Sequence, residues 1–111
     1  MAANPLRIEP IPGGFRLSGE LTRRVVGEFE QLLHHLDVPA GSLRIELAEF
    51  EIADGMAAVA AVNAVRRLAI GRRVVLVEAP QILGHNLYRV GALEGDSAIT
   101  LEAMREDEAY G

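Results

Sequence analysis

The 111-residue chain is 50% hydrophobic, 5% aromatic and free of tryptophan, so Leu, Val, Ile and Ala must fill the core of what its length suits to be one domain. It contains no cysteine, which excludes disulfides, thiolate chemistry and cysteine-ligated zinc or iron–sulfur sites. A formal net charge of −5 argues against nucleic acid as the main partner, because phosphate binding needs a basic footprint.

Residues 1–7 lack the basic region and long apolar stretch of a signal peptide. The longest run without charge or proline, residues 55–65, is too short to span a bilayer. The expectation is a cytoplasmic domain over residues 1–104 with no direct membrane insertion, followed by an acidic, mobile tail over 105–111.

Residues 6–11 alternate as a short strand, confined to an edge by Pro10 and Pro12. Gly13 and Gly14 signal a turn, and a second strand over 14–18 closes an antiparallel hairpin. Thr22 opens a helix predicted over 22–36, with Val25, Val26, Phe29, Leu32, Leu33 and Leu36 at amphipathic spacing. Leu43, Ile45 and Leu47 alternate with Arg44 and Glu46 in a third strand, 43–48. Ile52 and Ala53 lead to a corner at Asp54, the expected N-cap of a helix over 55–70. Ala58, Ala61, Val62, Val65, Leu68 and Ala69 form its core stripe, and Gly71 its C-cap. The continuous apolar run of residues 74–77 reads as a strand, 73–78, buried on both sides or nearly so. A weaker helix over 81–91, interrupted by Gly84, and a short strand at 98–101 complete the chain. Strand–helix–strand succession implies parallel pairing through right-handed crossovers.

Chemistry-bearing patterns are sparse. Asp54 is read first as a helix cap and second as a residue that orients a phosphate, a metal or a partner's basic group, roles that are compatible. Glu46, Glu49 and Glu51 form with it an acidic rim, more simply a solvated edge than a cation site, since the spacing matches no metal-binding loop. His34 and His35 are adjacent on a helix and point about 100° apart, which does not suit chelation. No phosphate loop and no nucleophile–base set is visible. Met56, Ala57, Ala60, Asn63, Ala64 and Arg67 are expected to face away from the core. An apolar patch there, beside an acidic rim, suggests a docking surface.

The order of these motifs resembles the STAS domains, the family of bacterial anti-sigma factor antagonists, from about residue 8 to residue 101. "LSGEL" (17–21) looks like the family's glycine-glutamate-leucine-aspartate strand end, with Thr22 in the aspartate's place. "RIELAEFEIADGMAA" (44–58) looks like its strand and strand-to-helix loop, with Glu46 for the first acid and Asp54 for the second. "GRRVVLVEAP" and "LYRVGAL" match a later strand and the third helix. The resemblance implies an α/β, STAS-like fold with a mixed four- to five-stranded sheet and helices packed mainly on one face.

The resemblance also implies function. The family's loop commonly carries a serine or threonine, two residues after the aspartate, that a partner kinase phosphorylates; here Met56 occupies that place. The implied activity is non-catalytic binding of an anti-sigma or kinase-like protein in bacterial transcription regulation. Docking would run through Asp54, Gly55, Met56, Ala57, Ala60, Asn63 and Ala64, without a phosphorylation switch and without metal or cofactor. Two alternatives stay open: the small cytoplasmic STAS subunit of a lipid-transport ABC complex, docking on its ATPase, and a nucleotide-binding STAS domain. A homodimer also stays open.

Overall fold

The structure, a computed structural model, describes residues 4–103. The tail expected over 105–111 lies outside the described residues. Strands β1 (Arg7–Ile11) and β2 (Gly14–Leu21) form the opening antiparallel hairpin, registered Ile8 to Leu17 and Pro10 to Phe15. A single 3-10 turn, Arg23–Val25, precedes α1 (Val26–His34). Then follow β3 (Gly41–Glu46), β4 (Phe50–Ile52), α2 (Gly55–Leu68), β5 (Arg72–Val77), α3 (Gln81–Arg89) and β6 (Ile99–Glu102).

Among the described residues these strands make one mixed six-stranded sheet, ordered β1-β2-β3-β5-β6, with β4 paired to β2. The hairpin is antiparallel and every other pairing is parallel. β5 runs through the interior of the sheet, with Val74 paired to Leu43 on one side and Ile99 on the other.

β4 is a strand that the sequence pattern does not announce. The first half of β2 pairs with β3, Phe15 opposite Ile45; its second half pairs with β4, Leu21 opposite Ile52. Between the halves the chain turns at residues 47–49. There Leu47 N–H donates to Val77 O (2.9 Å) and Phe50 N–H to Leu47 O (3.1 Å). β2 accommodates the switch at Gly19, whose φ of +97° suits a residue without a Cβ. A Cβ there would meet Pro5 O at 2.1 Å. β4 carries Phe50 into the core, where its ring stacks on Phe29 of α1 with centroids 6.2 Å apart.

Alternation along the strands decides the layers. Phe15, Leu17, Leu43, Ile45, Val74, Leu76 and Ile99 are buried and join Phe29, Leu83 and Leu87 of the helices in one cluster. All three helices therefore cover one face, with α2 between α1 and α3. The opposite face has no helix, and Val75 and Val77 are half-buried there. Residues 74–77, expected to be buried on both sides or nearly so, are fully buried only on the helix side, at Val74 and Leu76. An ion-pair ladder crosses this same face. Arg16 meets Glu46 at 3.2 Å, Glu46 meets Arg44 at 3.7 Å, and Arg44 meets Glu102 at 3.3 Å. Since β5 separates β3 from β6, the last pair reaches across the interior strand and lays an aliphatic stem over it.

Candidate functional site

The corner between β4 and α2 is held by Asp54. Its backbone is extended (φ −153°, ψ 174°). Oδ1 accepts from Ala57 N–H at 2.8 Å, satisfying one of the amides that the first helical turn leaves unpaired. Oδ2 accepts from Arg23 N–H at 3.0 Å, in the 3-10 turn after β2. One carboxylate thus ties two helix starts together across 31 residues of chain. The Ala57 amide, then the Arg23 amide, hold the carboxyl below its ordinary pKa, because both donate to the charged form. Ala53 N–H donates to Leu21 O at 2.9 Å and closes the same junction through the backbone.

The face that α2 shows to solvent differs from the expected one. Ala57, Ala60 and Ala64 are buried, at 0%, 7% and 5% exposure, so these three do not belong to an exposed docking face. The reason is lateral packing. α2 is flanked by α1 and α3, and its alanines let both neighbours approach closely. Ala61 and Ala64 line the same small apolar void as Phe29 and Leu33 of α1. Arg67, also expected on the outer face, is exposed but leans toward α1, 3.7 Å from Glu30. The exposed stripe runs through Gly55, Met56, Val59, Asn63 and Arg66 to Ile70. Met56 and Val59 are large apolar side chains left 68% and 56% exposed one turn apart. Val59 is absent from the expected set, although its i+3 spacing from Met56 is the signal that finds it.

Of the acids expected in a rim with Asp54, Glu46 is turned to a different surface. Glu46 lies on the helix-free face of the sheet, between Arg16 and Arg44. Glu49 borders a surface hollow with Arg7, Ser18 and Gly19, and Glu51 pairs across the strands with Glu20. Among the described residues no group of three or more His, Cys, Asp or Glu side chains is placed to hold a metal ion. His34 and His35 are exposed, their rings edge-to-face at 5.5 Å, and His35 Nδ1 lies 3.1 Å from Gln31 O. Among the described residues no helix is long and apolar enough to cross a membrane.

The corner's chemistry is that of a rigid display. Asp54 is committed to two backbone amides, the next three side chains carry no nucleophile, and what reaches solvent is a thioether and an isopropyl group. No family model and no curated protein matches the chain.

Proposed function

We propose that this chain is a STAS-like, non-catalytic docking domain, resembling the bacterial anti-sigma factor antagonists. It engages an anti-sigma or kinase-like protein through the start of α2. The observation that carries this reading is the pair Met56 and Val59, exposed on the first two turns of a helix whose other apolar side chains are buried or packed against the core. A braced helix start needs no backbone ordering when a partner covers it, and desolvation of its large apolar side chains favours association. The pairing of β2 with β4 and the Asp54 bridge support the reading, because they hold that helix start in one position. Asn63 and Gly55 extend the surface; Ala57, Ala60 and Ala64 act from beneath, by letting α2 sit deep between its neighbours. With Met56 at the place where the family carries a hydroxyl, contact is constitutive and set by the abundance of the two proteins.

The test is affinity capture from the source cells with the unmodified chain and with Val59→Arg and Met56→Glu. The expected outcome is an anti-sigma or kinase-like protein retained by the unmodified chain and lost by both variants. Capture of a transporter ATPase in its place would select the ABC-complex form of the family. The same partner held equally by all three chains would overturn the assignment of the interface.

A further inference from the structure

The opposite end of α2, about 20 Å from the corner over its 14 residues, carries a feature that docking through Met56 and Val59 does not use. A groove of about 240 Å³ opens between the C-terminal turns of α1 and α2 and the start of β5. Its floor is apolar, made by Leu33, Val38, Ala64 and Leu68. Its rim is charged, with Arg67 and Arg72, His34 and the single acid Glu30.

Arg72 is the unusual member. It occupies the helix-facing register of β5, the side on which Val74 and Leu76 are fully buried. Its partner across the ladder is Gly41, which has no side chain to cover it. Its side chain makes no ion pair or hydrogen bond among the described residues. Its Nη1 is the one buried side-chain nitrogen or oxygen among them without a partner. A guanidinium turned toward a core and left without an acceptor is unfavourable, and an anion beside its accessible edge neutralises the whole delocalised charge. Arg67 is close by and loosely held. Its contact to Glu30 is 3.7 Å long and both side chains are largely exposed, so Glu30 is easily displaced.

We propose that this groove binds a small organic anion, its phosphate or carboxylate paired with Arg72 and Arg67 and its apolar body laid on Leu33, Val38, Ala64 and Leu68. Glu30 and the carbonyl ends of the two helices offset part of the arginine charge. The site therefore favours an anion with an apolar body over a bare inorganic ion: the floor supplies affinity and the guanidiniums supply orientation.

Phenyl phosphate is the probe, with inorganic phosphate and benzyl alcohol as its two halves, followed by amide chemical shifts and calorimetry on the full chain. The expected result is saturable binding of phenyl phosphate, with shifts centred on Leu33, Val38, Leu68 and Arg72. Each half should bind at least about tenfold more weakly. Arg72→Gln and the surface variant Arg67→Gln should each weaken binding by about tenfold or more. The second variant keeps the test valid if the first fails to fold. No saturation at millimolar concentration, equal binding of benzyl alcohol, shifts centred elsewhere, or undiminished binding by folded variants would each overturn the proposal. Binding of an acidic peptide with no response to phenyl phosphate would overturn it too, and would make the groove a protein contact.

Discussion

At the scale of single residues, Asp54 and Ala60 carry the sharpest consequences. Asp54 accepts two backbone hydrogen bonds with its charged form, so its pKa is lower folded than unfolded. The native state then binds fewer protons than the unfolded chain at acidic pH. The resulting stabilisation is complete above the ordinary aspartate value of about 3.9 and is lost as pH falls through the folded value. Asp54→Asn retains one cap acceptor and no titration. Urea titrations should show a stability gap between the two proteins that is constant from neutral pH down to about 5 and narrows below about 4. A gap that widens with acid would contradict the bridge.

Ala60 and Val59 are neighbours in sequence with opposite environments. Val59→Arg adds a charge at an exposed helix position and should change stability by no more than about 0.5 kcal/mol. Ala60→Arg forces a long cation into a site 7% exposed and should cost roughly 1–3 kcal/mol from overpacking alone. The same pair separates interface from scaffold: loss of partner binding by Ala60→Arg would report misfolding, whereas loss by Val59→Arg would report contact. Gly19→Ala belongs at this scale as well. The positive φ alone costs about 1–3 kcal/mol, and the collision with Pro5 O adds to it. A melting temperature unchanged by that substitution would contradict the close approach of Pro5 O to Gly19.

At the scale of elements, β4 shows how three residues govern a site. Residues 50–52 pair as a strand with the second half of β2, set Asp54 beside the 3-10 turn and insert Phe50 against Phe29. Phe50 is among the largest fully buried side chains. Phe50→Ala should therefore cost about 3–5 kcal/mol. Because β4 leads directly into α2, amide exchange should accelerate first in residues 50–57 and in the start of α1, ahead of β3 and β5. Uniform acceleration across the sheet would show that β4 is not a separable unit. The 3-10 turn at Arg23–Val25 also belongs to this junction. The helix expected from Thr22 begins instead at Val26, after Val25 has adopted φ −110°, ψ 14°.

At the scale of the whole molecule, the sheet has one face packed and one face bare. A parallel sheet usually carries helices on both sides; here the ladder of Arg16, Glu46, Arg44 and Glu102 stands in for the second layer. Each link is exposed and should contribute no more than about 1 kcal/mol. Glu46→Gln removes the charge from two links together while keeping one acceptor oxygen. Its destabilisation should be measurable at low salt and fade toward about 1 M, where the screening length is about 3 Å. Salt-independent loss would indicate packing over Val75 and Val77 rather than charge.

The sequence by itself determined the order and type of nearly every element, because apolar spacing of two or of three and four is a local property. Leu43, Ile45, Val74 and Leu76 declared their strands, and Asp54 declared its helix start by chemistry that acts within three residues. Tertiary structure decided what depends on neighbours remote in the chain. Alanine is as compatible with an exposed helix face as with a tight helix–helix contact, so only the presence of α1 and α3 on either side of α2 buried Ala57, Ala60 and Ala64. Glu46 is close to Asp54 in sequence but belongs to a strand face that points away from it, and its arginine partner on β2 lies 30 residues earlier. Arg72 is one of three adjacent-arginine pairs in the sequence, and only the register of β5 turns it toward the helices. Burial and charge pairing are set by which surfaces meet, and that meeting is fixed by the fold as a whole.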